Sequence, residues 1–439
     1  MKYIRVKEQI FIRETSRGDF LLVGQHVFEI DKIARAILEL CDGKHTFEEI
    51  IFSLSRLYDD PREEIEKSVS QFLNTLMKDN IIIISENYSP IDPIYDYSRP
   101  SSINIEITYK CNESCKFCAS NAGIPEKNEI TDEEIDDLLD QIISLRISPV
   151  TITGGEPLLK KDLVIHMIKR IHEARLIPNL LTNGTLITSD LAQSLKNAGI
   201  NYVQVSLDGS CSQTNDSIRG RFGGFNQALR GIHALKKANI DVSISSVLIK
   251  ENFKELKSLY RLGEMLGVPI STAAVSPTGR GFDQELLLTS QQMCEHFCYT
   301  HLNEKDELNM LVLPRERCSI GTSPVVTPVG DVYPCMLTKY EQLKLGNVRE
   351  SSLKTIWKTS SLLQELYQMT IEDLEPCETC LNKLFCGGGC RGHAFAYHGT
   401  IYKNDPYRCA ANKLIIKEIL KRGNKKTKKE VLELIKLQN

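Results

Sequence analysis

Fourteen cysteines in 439 residues are the side chains most able to do chemistry, and ten of them fall into spaced groups. Cys111, Cys115 and Cys118 form a CxxxCxxC run on one short segment. Three thiolates so placed cannot alone complete a tetrahedral zinc site. They can instead bind three irons of a cubane cluster, leaving the fourth iron open to a chelating ligand and therefore reactive. Toward the C-terminus, Cys318 and Cys335 flank Gly330, then Cys377, Cys380, Cys386 and Cys390 follow at close spacing, with Cys409 beyond. Four cysteines stand apart. Cys41 ends an apolar helical face and reads as core, while Cys294 and Cys298 share a helix face as two small buried side chains rather than a metal pair. Cys211 follows the fourth-strand loop, a position for a substrate-side thiol. The 9 histidines show no ligand spacing.

These cysteines must sit in a reducing compartment to act as ligands. The N-terminus MKYIRVKEQIF carries Lys2, Arg5 and Lys7 but no apolar run, and the longest aliphatic stretch, Ile81 to Ile84, is far too short to span a membrane. The expectation is a cytoplasmic protein with no membrane span, in which a dense cysteine pattern means metal binding or catalysis rather than disulfides. With 54 basic against 57 acidic side chains and a net charge of -3, bulk electrostatics proposes no nucleic-acid partner.

The elements that position the first cysteine group are strand-like runs at Asn104 to Thr108, Pro149 to Gly154, Ile177 to Asn183, Tyr202 to Leu207, Asp241 to Ile249 and Pro269 to Ser276, alternating with amphipathic helices. Six such units predict an α/β fold, a partial (β/α)6 barrel of parallel strands with right-handed crossovers. Functional groups then belong on the loops at the C-terminal strand ends, where CxxxCxxC follows the first strand. Residues 1–87 read as a winged-helix-like α+β module. Two β-type arms at Ile4 to Arg13 and Phe20 to Ile30 precede helices beginning at Asp31, Thr46 and Pro61, and Ile81 to Ile84 closes it as a strand. Thr46 with Glu49 forms a capping box, and Pro61 suits a first helical position. Counted to Ser85, the module has 12 Lys and Arg against 15 Asp and Glu, which argues against DNA binding. Residues 88–100 form a linker, 101–305 the barrel, 306–422 a cysteine-stapled domain interrupted by one helix from Leu353 to Gln368, and 423–439 a Lys-rich helical tail read as a solvated face.

CxxxCxxC after the first strand, with Thr153-Gly154-Gly155-Glu156-Pro157 ending the second, resembles the radical S-adenosylmethionine superfamily over roughly residues 100 to 305. The resemblance implies a radical SAM core in which Cys111, Cys115 and Cys118 are catalytic ligands of a [4Fe-4S] cluster and Gly154, Gly155, Glu156 and Pro157 contact the methionine moiety. It further implies ribose and carboxylate contacts from Ser206, Asp208 and Arg219. Phe117 and Val275 would lie against the adenine. A low-potential cluster would pass one electron to the sulfonium, and the resulting 5'-deoxyadenosyl radical would abstract hydrogen from substrate, the protein supplying position and water exclusion.

The seven C-terminal cysteines resemble the SPASM domain of peptide-modifying radical enzymes, with a structural zinc ribbon as the alternative. By resemblance, Cys377, Cys380, Cys386 and Cys409 fully ligate one auxiliary [4Fe-4S] cluster, and Cys318, Cys335 and Cys390 hold another, for three clusters in all. Gly387 to Gly389 would let backbone amides approach the sulfides. Where some family members carry a cysteine six residues after the first, this chain has Pro324. The second auxiliary cluster would then keep an open iron for a substrate thiolate or take a ligand from elsewhere in the chain.

The stretch from Ile37 to Ile50 resembles the pyrroloquinoline-quinone chaperone family, the leader-recognition element of ribosomal peptide biosynthesis, over about residues 1 to 85. Such modules add the leader peptide as a strand and raise the effective concentration of the core peptide. Together the three regions resemble sactipeptide and ranthipeptide maturases. They imply an enzyme that forms a thioether in a precursor peptide, with flavodoxin or ferredoxin as electron donor. Carbon-carbon crosslinking is an alternative outcome, and a non-enzymatic iron-sulfur or zinc peptide-binding module is an alternative class. Met336 stands where sulfatase maturases carry a catalytic aspartate, which argues against that branch.

Overall fold

The computed structural model describes residues 2–6, 10–15, 18–23, 26–79, 81–86, 99–301, 315 and 318–436, and forms two compact units, residues 1–97 with 311–315 and residues 98–310 with 316–439. Most of the expected 88–100 linker and the expected boundary at 305 lie outside the described residues.

In the first unit, strands β1 (Tyr3–Val6), β2 (Ile10–Thr15), β3 (Gly18–Val23) and β4 (His26–Ile30) precede helix α1 (Lys32–Leu40). Strand β5 (Asp42–Thr46), helices α2 (Phe47–Leu54) and α3 (Arg62–Lys78) and strand β6 (Ile82–Ser85) follow. Asp31 caps α1 by accepting the Ala34 N–H at 2.7 Å, and Thr46 and Glu49 cap each other's backbone at α2. Pro61 occupies the cap position of α3, one residue before the expected place. The two expected β arms divide into four strands in two antiparallel sheets, ordered β5-β1-β6 and β2-β3-β4. The strand absent from the sequence reading is β5: Asp42-Gly43 ends α1 and also opens a strand, Gly43 taking φ 75° at the turn. Ile37, Leu38, Ile50, Ile51, Val69 and Leu73 fill the core, and Cys41 is wholly buried among them. Burial, with the Asp42 charge adding, pushes its thiol up to about 12, as expected of an inert core cysteine.

The second unit alternates β7 (Ile103–Glu106), α4 (Asp132–Ser144), β8 (Val150–Thr153), α5 (Lys161–Glu173), β9 (Pro178–Thr182), α6 (Ser189–Ala198) and β10 (Tyr202–Ser206). Helices α7 (Ser212–Arg219) and α8 (Gly224–Lys237) lead to β11 (Asp241–Leu248), α9 (Leu256–Leu266), β12 (Ile270–Ala274) and α10 (Ser290–His301). All six expected strands are present and parallel, in sequential order from β7 to β12. Alternation explains the layering. Ile103, Ile105, Val150, Ile152, Leu180 and Val203 share the helix-packed core. The opposite face is polar, where register pairs Asn104 with Thr151, Glu106 with Thr153, Gln204 with Ser243 and Ser206 with Ser245. A parallel strand buried in apolar contacts on both faces would read as a continuous apolar run.

The sheet does not stop at β7. Strands β13 (Val325–Val326), β14 (Asp331–Tyr333) and β15 (Gly346–Asn347) extend it, with β13 parallel to β7 and the last two antiparallel. The remainder holds α11 (Leu353–Thr359), α12 (Ser361–Gln368), α13 (Lys383–Cys386), α14 (Arg391–His398), α15 (Pro406–Arg422) and α16 (Lys425–Lys436). The single helix expected from Leu353 to Gln368 is broken at Ser360, which takes an extended conformation and caps α12 with its hydroxyl. The Lys-rich tail, expected to be solvated, buries one face through Val431 and Leu434. Among the described residues, no helix is long and apolar enough to cross a membrane.

Val326, Val332, Leu353 and Ile356 belong to the same buried cluster as the barrel strands and helices. Leu353→Ala should therefore cost about 2–5 kcal/mol and lower one calorimetric transition for residues 98–439. A C-terminal transition that moves alone would show separate cores.

Candidate active site

The CxxxCxxC segment leaves β7 at the C-terminal mouth of the sheet, and its backbone is held by neighbours on every side. Gly155 N donates to Thr108 O at 2.6 Å and Glu156 N to Lys110 O at 2.9 Å. Cys111 N donates to Gly123 O, Ser114 N to Arg219 O and Lys116 N to Ile218 O, each at 3.0 to 3.2 Å. Gly154 has φ 153°, and a Cβ there would stand 2.6 Å from Thr108 O; one on Gly155 would stand 2.3 Å from Lys110 O. The two glycines are thus required by the close approach of β8's end to the cysteine loop.

Glu156 is fully buried, and protein donors surround it. Its Oε1 accepts Thr182 Oγ1 at 2.7 Å and Leu158 N at 3.0 Å, while Oε2 accepts Asn183 N at 2.8 Å. It therefore pins the end of β8 to the end of β9. Pro157 opens the following helical turn. Burial pushes the Glu156 carboxyl up to about 7 against the pull of those three bonds.

Arg219 lies in a buried cluster with Glu113 and Asp208. Its Nε and Nη2 each reach Glu113 Oε2 at 2.7 Å, and Nη1 pairs with Asp208. Asp208 also accepts Val247 N at 2.7 Å. Burial raises both carboxyls, opposed by Arg219; Arg219 itself is raised despite burial by its charge interactions with Cys115, Asp208 and Glu113. The guanidinium thus ties the cysteine loop to the end of β10 and lies beside Cys115. Burial pushes the Cys115 thiol up to about 12 and the Cys111 thiol to about 11. A bound metal would have to draw off those protons.

The Val275 side chain and the Phe117 backbone both approach Gly281: a Cβ there would stand 3.2 Å from Val275 Cγ2 and 3.3 Å from the Phe117 carbonyl oxygen. Ser206 lies on the polar face of the sheet. Several residues there carried no signal of their own in the sequence. Arg280 donates from Nε to Cys115 O at 2.8 Å and from its backbone to Cys118 O at 3.1 Å, bracing the loop from beyond β12. Lys339, four residues after Cys335, contacts Glu106 Oε1 at 2.6 Å and Ser120 Oγ at 2.7 Å. Lone arginines and lysines have no spacing to betray them.

The C-terminal cysteines separate into two sets. Burial raises Cys377 to about 11, with further contributions from Cys386, Cys380 and Cys409, so those three thiols lie within electrostatic reach of Cys377. Burial likewise raises Cys335 to about 11, with Cys390 and Cys318 adding. Pro324, held by its carbonyl to Asn104 N at 2.9 Å, stands at the entry to β13. Gly387, Gly388 and Gly389 all take positive φ, and Arg391, almost fully buried, donates to Gly388 O, to Ile401 O at 2.7 Å and to Lys403 O at 2.6 Å. Asp405 Oδ2 accepts Cys390 N at 3.1 Å and pairs with His393 Nδ1 at 2.9 Å, while Oδ1 caps the helix that carries Cys409. One carboxylate thereby fixes a loop of each set.

The donor chemistry fits iron-sulfur clusters. Among the described residues, no three His, Cys, Asp or Glu side chains gather closely enough for one ion. Cubane thiolates each bind a separate iron and stand farther apart. At the sheet's polar face, Glu106 Oε2 and Asn179 Oδ1 are buried without partners among the described residues, as befits a site for a polar ligand.

Comparison with known proteins agrees. Residues 105–263 match the family described as Radical SAM superfamily, residues 20–82 the Coenzyme PQQ synthesis protein D (PqqD) family, and residues 318–381 the SPASM family, an iron-sulfur cluster-binding domain. An AdoMet-dependent heme synthase of Methanosarcina barkeri is 30% identical over 344 residues, spanning 71% of this chain and 96% of its own. The chain belongs to the radical SAM superfamily. As a radical SAM enzyme it uses S-adenosylmethionine and iron-sulfur chemistry. Mycofactocin maturase MftC of Mycobacterium tuberculosis is 29% identical over 322 residues, 67% of this chain and 79% of its own. The crystal structure of Streptococcus suis SuiB bound to precursor peptide SuiA shares the fold, with a TM-score of 0.62 at 17% identity over 92% of this chain and 99% of that one.

Two outcomes follow. Gly155→Ala drives a methyl group into Lys110 O, so about four irons per chain should be lost from the radical site while C-terminal iron remains, measured by iron assay and EPR. In the metal-free protein, Glu156 stabilises the fold most when protonated, because its folded value of about 7 exceeds the ordinary 4.5. That contribution is complete below the ordinary value and lost as pH rises through the folded one. Glu156→Gln should flatten the stability profile across that window in urea unfolding, whereas an unchanged slope would assign the titration to another group.

Proposed function

We propose that this radical SAM enzyme modifies a ribosomally synthesised precursor peptide in the cytoplasm, joining a cysteine sulfur to carbon. The observation that carries the peptide reading is the PqqD-family module in the same chain as the radical SAM and iron-sulfur regions. A leader bound to that module keeps its core peptide at high effective concentration for the barrel. The structural kinship with SuiB, whose crystal structure holds its precursor peptide, supports the same reading.

S-adenosylmethionine on a reduced cluster supplies hydrogen abstraction from an unactivated carbon. Cys111, Cys115 and Cys118 would hold that cluster, with Arg219 balancing its negative charge. Ser206 and the polar face of the sheet would orient the cofactor, Phe117 and Val275 would pack against its adenine, and Gly154 to Pro157 would face its methionine end. Asp208 would act through Arg219, since its carboxylate is already engaged.

Cys377, Cys380, Cys386 and Cys409 would hold a fully ligated auxiliary cluster, and Cys318, Cys335 and Cys390 one with a free iron, making three [4Fe-4S] clusters supplied with electrons by a flavodoxin or ferredoxin. Pro324 favours thioether formation, since it leaves the second set a thiol short and a coordination place for the substrate sulfur. A porphyrin substrate is the second reading, favoured by the identity to the heme synthase over nearly all of that protein; the PqqD-family module weighs against it.

The reconstituted protein should hold about twelve irons and, when reduced, release 5'-deoxyadenosine. Incubated with the cognate precursor peptide, leader and core together, it should remove two hydrogens and one alkylatable thiol per crosslink by mass spectrometry. Loss of two hydrogens with every thiol still alkylatable would mean a carbon-carbon bond, and an unchanged peptide would sink the peptide assignment. A chain beginning at residue 98 should still cleave S-adenosylmethionine but lose leader binding in calorimetry.

A further inference from the structure

Around one surface hollow of about 340 Å3, which Glu433 also lines with its carboxylate 3.7 Å from Lys429 Nζ, the C-terminal helix α16 carries Lys425, Lys428, Lys429 and Lys436 together with Leu432. Their spacing of three, four and seven residues places them in a single stripe along the helix. Four of these five side chains are exposed and Lys428 is half-buried; Leu432 retains 46% of its surface. The opposite face, through Thr427, Glu430, Val431 and Leu434, is buried. The helix packs on α15, whose first turn bears Cys409, and on α13, which ends at Cys386. Between residues 421 and 436 there are seven basic and two acidic side chains, in a chain whose net charge is -3.

A fully thiolate-ligated cluster has no iron free for substrate, so its remaining chemistry is electron transfer, and that needs a surface where a carrier can approach. A lysine stripe on the order of 16 Å long, at 1.5 Å rise per residue, with one apolar side chain at its middle, suits a small, short-lived and electrostatically steered contact. The helix has already spent its apolar face on the protein, which disqualifies it as a bilayer-inserting helix.

We propose that the α16 lysine stripe is the docking surface for an acidic one-electron carrier protein, which exchanges electrons with the auxiliary cluster at Cys377, Cys380, Cys386 and Cys409. The inference rests on the cluster assignment proposed above. Only an electron crosses the interface; the carrier is oxidised by one electron as the cluster is reduced, and no bond changes.

The test uses the full chain, reconstituted anaerobically, with a reduced bacterial two-cluster ferredoxin as probe. In stopped-flow absorbance, the quadruple variant K425E/K428E/K429E/K436E should take electrons from ferredoxin at least about tenfold more slowly at low salt, with the parent's salt dependence flattened. Its iron content and its 5'-deoxyadenosine yield with dithionite, a small reductant that needs no docking, should match the parent. The milder K428Q/K429Q should lie between and serves if the quadruple variant loads poorly. Equal ferredoxin rates and equal salt slopes in parent and variants would overturn the proposal, as would loss of binding to phosphatidylserine vesicles or an RNA oligomer with ferredoxin transfer intact. A parent whose auxiliary iron is absent by EPR would instead overturn the cluster assignment, an outcome read before any ferredoxin is added.

Discussion

Three thiols can be offered to one cluster only if the loop that carries them is held in place by groups other than the thiols. Here the loop is held through its backbone: Thr108 and Lys110 carbonyls take the N–H groups of Gly155 and Glu156, and the cysteine segment itself is tied to Gly123, Ile218, Arg219 and Arg280. The glycines beyond β8 follow from that closeness, since any Cβ would fall on a carbonyl of the loop. Glu156 and Arg219 are the next layer outward, one pinning neighbouring strand ends together and the other balancing buried charge. Breaking a buried pair strands an uncompensated ion, which costs about 3–5 kcal/mol.

The same economy recurs in the C-terminal region without a barrel to lean on. Three successive glycines in left-handed conformations shape the turn after Cys386, and the buried Arg391 guanidinium collects the carbonyls that the turn leaves inward. Asp405 links that turn to the helix bearing Cys409. A few long-reaching polar side chains replace the apolar packing that a cysteine-rich loop region cannot supply for itself.

Periodic and local features were readable from the sequence. The six parallel strands begin and end within two residues of their expected limits, and Asp31 and Thr46 cap their helices as their side chains require. Features without a local signature were not. Strand β5 hid behind the helix-ending Asp42-Gly43, and Ser360 divides a continuous amphipathic pattern because its hydroxyl can begin a new helix as readily as its backbone can end one. The polar face of the barrel was implicit in the alternation, but Glu106 gains its partner from Lys339, more than two hundred positions away. Arg280 and Arg391 likewise act on carbonyls, which have no identity in a sequence.

The pairing of β13 with β7 has a consequence for how the chain is made. Asn104 lies beside Val325, so the first barrel strand waits for a neighbour that the ribosome adds about 220 residues later. At roughly 5–20 residues per second, that strand edge stays unpaired for about ten to forty-five seconds. An unpaired strand edge is a template for pairing with another chain, so nascent chains must be shielded from strand-to-strand association throughout that interval.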